Sequence, residues 1–238
     1  MATVRPTAAA LRKALAAVAD PKVAAKVAGF YKGETLGNRV MGVDFGKNFA
    51  TAKTFVAMPL EDVETLLEDA HYEVRMAAMA ILDFKAQTKG VSDAERKALF
   101  DLYLRRHDRI DNWDLVDRAA PRVVGGWLAG RSKAPLTKLA KSRDPWERRT
   151  AIVATYAFIR EGEIEETFRI GELLAGDAHP YVQMAVASWV REAGKRDQPR
   201  LVEFLTRNAK RLKAKSMRDA SKLLPANVRA GVMAAAKA

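Results

Sequence analysis

The stretch LEDVETLLEDAHYEVRMAAMAILDFKAQ (60–87) decides the fold. In its first part Leu60, Val63, Leu66 and Leu67 recur at the three- and four-residue intervals that place them on one face of an α-helix. After the short turn Asp69-Ala70-His71 the pattern resumes with Val74, Ala77, Ala78, Ile81 and Leu82. The residues between are strong helix formers, and alternating, strand-like runs are nearly missing from the whole chain. Two amphipathic helices joined by a tight turn are the expected result. The same texture continues outward, broken only at GETLGN (33–38), Lys89-Gly90, Arg143-Asp144-Pro145, Glu161-Gly162, Asp177-Ala178-His179-Pro180 and Lys195–Pro199. These breaks are short, and no Pro/Ser-rich linker separates them, so a single helical domain over 1–238 is expected, with 1–45 supplying its N-terminal helices.

The pair at 60–87 has echoes further along. Arg75-Met76-Ala77, Asp117-Arg118-Ala119, Arg149-Thr150-Ala151, Gln183-Met184-Ala185 and Arg218-Asp219-Ala220 recur at intervals of 32 to 42 residues, each a polar residue with Ala two positions on. Similar turns, Arg143-Asp144-Pro145 and Asp177-Ala178-His179-Pro180, stand just before two of them. Such units read as HEAT-like antiparallel helix pairs stacked into an all-α superhelical solenoid. A small residue at a fixed point of each second helix lets neighbours approach, and the polar residue two earlier projects from another face. One polar side chain per repeat is then expected along a concave, basic groove.

Composition limits what that groove meets. The 238 residues carry 41 Lys and Arg against 29 Asp and Glu, a net charge of +12 that suits a polyanion. The plain alternative is a solvated basic surface. No Cys is present, which excludes disulfides, and no apolar run approaches a membrane span. Arg12, Lys13 and Asp20 interrupt the N-terminal apolar residues, unlike the core of a signal peptide, so a cytoplasmic protein is expected. His71, His107 and His179 have no paired spacing and no Cys beside them, so neither a metal nor a cofactor is expected. His107-Asp108 lacks a nearby nucleophile, and GGWLAG lacks the Lys-Ser/Thr ending of a phosphate loop. Trp146 and Trp127 read as packing residues.

The repeat register places Arg75, Arg149 and Arg218 in the groove around a single acid, Asp117. Arginine suits phosphate because its planar donors grip two oxygens together. Arg148, Arg118, Arg122 and the neighbouring bases extend the path, although many such side chains only face solvent. A carboxylate among phosphates is repelled unless something cationic is to be stabilised there. The commoner use of an Asp is a cap or a salt bridge.

The segments DRIDNWDLVDRAAP (108–121), DPWERRTAIVATYAFIREG (144–162) and VREAGKRD (190–197) resemble the AlkD-type DNA alkylation repair family, with the likeness running from about Met41 to Leu224. The resemblance implies a HEAT-like superhelix whose basic concave face grips duplex DNA, and hydrolysis of the N-glycosidic bond of cationic alkylated purines such as 3-methyladenine and 7-methylguanine. A groove that embraces a duplex is readily supplied by a monomer, which is the expected state. It implies that Trp113 is an aromatic wall, Asp117 the catalytic carboxylate and Arg149 the groove arginine that contacts phosphate near the lesion. Trp113 and Asp117 are four residues apart, which puts them on one helical face.

One position departs from the family pattern. A second active-site Trp is usual in VGWxLRE, where this chain reads VASWVRE (186–192), so Ser188 stands where that Trp belongs and Trp189 follows about 100° around the helix. Ser188 and Trp189 are thus the substrate-binding candidates, and core packing is the preferred reading of Trp189. If the second wall is gone, a noncatalytic DNA-binding or scaffold protein derived from the family is the alternative to the enzyme. The N-terminal GVxVP element of the family is represented within GETLGNRVMGVDFG (33–46), with Gly46 in place of Pro.

Overall fold

The computed structural model describes residues 6–31 and 39–235, and the GETLGN turn (33–38) lies outside them. Among the described residues the secondary structure is helical, with a single isolated bridge between Arg39 and His71. The chain divides into two compact units, Met1–Trp127 and Leu128–Ala238.

The first unit contains α1 (Ala8–Val18), α2 (Pro21–Ala28), α3 (Phe45–Thr54), α4 (Leu60–Leu67), α5 (Tyr72–Ala86), α6 (Asp93–Arg105) and α7 (Trp113–Ala120). Its centre is α5, on which α3, α4 and α7 all pack. Tyr72 to Asp83 are buried without a gap, so this helix faces core on every side rather than on one stripe. Its charged residues then need internal partners, because a buried unpaired charge is costly. Glu73 finds three: its carboxylate accepts from the backbone N–H groups of Met41 (2.9 Å), Gly42 (2.8 Å) and Val43 (3.2 Å). Asp83 pairs with Arg118 (2.8 Å) and Arg122 (3.0 Å). Arg118 also lies over the rings of Phe49 and Phe84. Arg118 and Arg122 therefore serve the interior of this unit.

The strap from Arg39 to Val43 is fixed at Gly42 by geometry as well as by charge. Gly42 has φ +90°, and an added Cβ would lie against the carbonyl of Asp20, whose own N–H donates to the Gly42 carbonyl (2.9 Å). Only glycine meets both conditions. At its other end the Arg39 carbonyl accepts from the Tyr72 N–H (3.0 Å), so the strap also fixes the start of α5.

Helix α7 runs into a π-helical segment, Pro121–Gly125, before α8 (Gly126–Leu128). A proline inside a helix lacks the N–H and crowds the preceding turn, and the widened turn accommodates it immediately after the WDLVD segment.

The second unit contains α9 (Ala134–Ala140), α10 (Pro145–Val153), α11 (Tyr156–Glu161), α12 (Glu165–Leu174), α13 (Pro180–Ala193), α14 (Gln198–Arg207), α15 (Ala214–Ser221) and α16 (Ala226–Ala235). Helices α10, α13 and α15 pack side by side, with α9, α12 and α14 as their respective antecedents. This is the helix-pair alternation expected from sequence. The caps correct the register, however. The N-caps of α5, α7, α10, α13 and α15 are His71, Asn112, Asp144, His179 and Lys213. Counting from them, Arg75 and Gln183 are the fourth residue of their helices, whereas Asp117, Arg149 and Arg218 are the fifth. The expected single row therefore mixes two positions about 100° apart. Arg75 and Gln183 are buried, and so is Arg149 at the other position, so the register alone does not decide which side chains face inward.

Candidate functional site

Helix α7 begins at Asn112 in extended conformation, and Trp113 is its first residue. Trp113 and Asp117 share one face and are both half-buried. The indole is anchored from outside its helix, its Nε1 donating to the carbonyl of Phe30 (3.1 Å) just beyond α2. Asn112 Nδ2 donates to the same carbonyl (3.0 Å) and to Asp114 Oδ1 (2.6 Å).

Behind this face lies a buried polar block. Asp114 accepts from the Tyr72 hydroxyl and from the Leu115 backbone N–H (2.9 Å). Burial pushes the Asp114 carboxyl up to about 6, against the lowering effect of the hydrogen bonds from Tyr72, Asn112 and Leu115. Asp111 accepts from the Tyr31 hydroxyl and from Arg75 Nη2 (3.1 Å). Of the three acids in DNWDLVD, two are thus structural and buried, and Asp117 is the one placed toward the half-exposed face. Sequence reasoning singled out Asp117 but missed Asp111, Asp114, Tyr31 and Tyr72. Three acids at intervals of three, beginning just before a helix cap, were the available signal.

Arg75 requires a correction. It is 1% exposed, bonded to Asp111 and to the Asp69 carbonyl (3.1 Å), and so does not project into a groove. A central helix with no exposed side has nowhere else to put it. Arg149 is also interior at 6% exposure, and its Nη1 donates to the Tyr181 carbonyl at the start of α13. Arg148 is half-buried and fully engaged, with two bonds to Asp177 (2.6 and 3.0 Å) and others to the Ser142 and Arg143 carbonyls. Arg148 ties α10 to the turn preceding α13, and Arg149 ties it to the first turn of α13 itself. Arg218 is exposed on α15, where Lys215 and Lys222 share its face at helical spacing.

Ser188 is half-buried, one turn beyond the exposed Met184 on the same face of α13. Trp189 points around the helix and packs on Tyr156, ring centroids 4.7 Å apart and inclined by 36°. Helix α13 is regular from Pro180 to Ala193, so Trp189 stays about 100° around the helix from Ser188. Trp146 packs against His179 and Tyr181, and Trp127 against Phe100. His71 bonds Asp69 (2.9 Å) and Arg12.

A half-exposed carboxylate beside an immobilised indole can stabilise a cation by charge and by the negative face of the ring. The sequence profile of the DNA alkylation repair enzyme family matches residues 11–224. The chain is similar to a solved structure described as a predicted DNA alkylation repair enzyme from Enterococcus faecalis, with a TM-score of 0.67 and 17% identity over 87% of this chain and 97% of that one. At that identity the likeness establishes the all-α fold. No curated protein matches the chain.

Proposed function

Because the chain belongs to the DNA alkylation repair enzyme family, we propose that it is a monofunctional DNA glycosylase acting on positively charged alkylated purines in duplex DNA. The observation that supports this most is the pairing of Asp117 with Trp113 on one half-exposed face, the indole held by the Phe30 carbonyl.

An N3- or N7-alkylated purine already carries positive charge and leaves without general-acid help. As the glycosidic bond breaks, its electron pair neutralises the purine and the sugar acquires oxocarbenium character. The Asp117 carboxylate stabilises that charge and orients a water, whose oxygen adds to C1′ while its proton passes to the carboxylate and then to solvent. The π face of Trp113 favours the same cation. The products are a neutral alkylpurine and an abasic site. In this reading the protein works as a monomer that holds the duplex by its backbone. Within the second unit Arg218 contacts phosphate, while Arg148 and Arg149 position α13.

The test is base release from methylated duplex DNA. Wild-type protein releases 3-methyladenine and 7-methylguanine, and Asp117→Asn slows release by about 100-fold or more, the scale of removing a preorganised electrostatic group. Equal rates for the two proteins would remove Asp117 from the mechanism. The packing of Trp189 on Tyr156 favours a second reading, a noncatalytic duplex-binding protein lacking one aromatic wall. That protein shows salt-dependent binding and no base release above the uncatalysed rate.

A further inference from the structure

Trp113 is flanked by two buried carboxylates, Asp111 two residues before it and Asp114 one after, and each accepts a hydrogen bond from a tyrosine hydroxyl. The two tyrosines are neighbours, with the rings of Tyr31 and Tyr72 5.7 Å apart and inclined by 58°. They come from separate parts of the chain, Tyr31 from just beyond α2 and Tyr72 from the first residue of α5. Tyr31 directly follows Phe30, whose carbonyl receives both the indole N–H of Trp113 (3.1 Å) and the amide of Asn112 (3.0 Å). Movement of Tyr31 therefore moves the anchor of the indole.

We propose that Tyr31 and Tyr72 are positioning residues for Trp113, their hydroxyls clamping the carboxylates on either side of it so that the Phe30 carbonyl holds the indole plane. The ring torsion of an aromatic side chain is broad, so a half-exposed indole needs an external bond to present one face. The Phe30 carbonyl supplies that bond, and the tyrosine pair fixes where the carbonyl stands. Burial and the adjacent Asp114 raise the pKa of Tyr72, so its hydroxyl remains a donor throughout the working range. Asp111 is completed by Arg75, whose interior place thereby gains a purpose. Neither tyrosine touches reacting atoms in this scheme. The consequence for catalysis rests on the glycosylase reading, but the control of the indole does not.

The experiment uses the full chain with Tyr31→Phe and Tyr72→Phe, each made also in a Trp113→Phe background. Trp113 emission is the spectrum of each protein minus that of its Trp113→Phe counterpart. Both phenylalanine variants are expected to shift that emission, to slow single-turnover release of 7-methylguanine roughly tenfold, and to keep duplex affinity within about twofold. Unchanged Trp113 emission overturns the proposal. So does a shifted emission with wild-type release, or a slowed release accompanied by an equal loss of duplex affinity. If wild-type protein releases no base, the glycosylase reading fails and the emission difference alone decides. Should Tyr72→Phe not fold, Tyr31→Phe, at the less buried of the two sites, carries the same outcomes.

Discussion

Asp114 and Asp117 stand three residues apart on α7 and meet opposite environments. Asp117 is half-buried beside the indole, whereas Asp114 is enclosed, and burial raises its carboxyl to about 6. An acid whose folded pKa lies above its unfolded value near 3.8 binds its proton more tightly when folded. Its contribution to stability is therefore fully present below about pH 4 and is lost as pH rises through 6. At about 1.4 kcal/mol per unit, the loss between pH 4 and pH 7 is on the order of 2 kcal/mol. Asp114→Asn removes this dependence. The difference in unfolding free energy between variant and wild type, measured in urea, should move in favour of the variant by that amount from pH 4 to pH 7. A constant difference would show that Asp114 keeps an ordinary pKa.

At the scale of elements, α5 is a wholly enclosed helix that carries ions, and its stability depends on what those ions meet. Glu73 is the clearest case, since its carboxylate satisfies three backbone N–H groups of the Met41–Val43 strap. Glu73→Ala leaves those donors buried and without their acceptor, at about 1–3 kcal/mol for each group that water does not reach. The expected result is a loss of roughly 3 kcal/mol or more in the urea unfolding free energy, with hydrogen exchange accelerated at Met41, Gly42 and Val43. A change below about 1 kcal/mol would mean that the strap does not depend on this carboxylate. Because the strap also bonds Tyr72, the same variant is expected to disturb the block behind Trp113.

At the scale of the whole molecule, the surplus of 12 positive charges is not uniformly available to a partner. Arg75, Arg118, Arg122 and Arg148 are engaged by Asp111, Asp83 and Asp177, so they answer internal charges. Arg218, Lys215 and Lys222 are exposed on one face of α15, and in the proposed function that face meets phosphate. Arg218→Gln is expected to weaken duplex binding by a similar factor on every sequence and to lower the slope of log affinity against log salt by about 1. Fluorescence anisotropy at several salt concentrations reads both quantities, and an unaltered slope would remove Arg218 from the phosphate contacts.

Much of this molecule was legible in the sequence. Helical periodicity, the pairing of helices at intervals of 32 to 42 residues, and the shared face of Trp113 and Asp117 are set by spacing along the chain, because a helix fixes its own geometry through local bonds. The offset of Trp189 from Ser188 was readable for the same reason. What only the tertiary structure decided is which charged side chains face inward. Arg75 and Arg218 belong to the same sequence pattern, yet one is enclosed and bonded to Asp111 and the Asp69 carbonyl while the other meets solvent. Asp111 and Asp117 differ in the same way. Burial of an ion depends on partners brought from distant parts of the chain, such as Tyr31 for Asp111 and the Met41–Val43 backbone for Glu73, and no local spacing encodes that meeting.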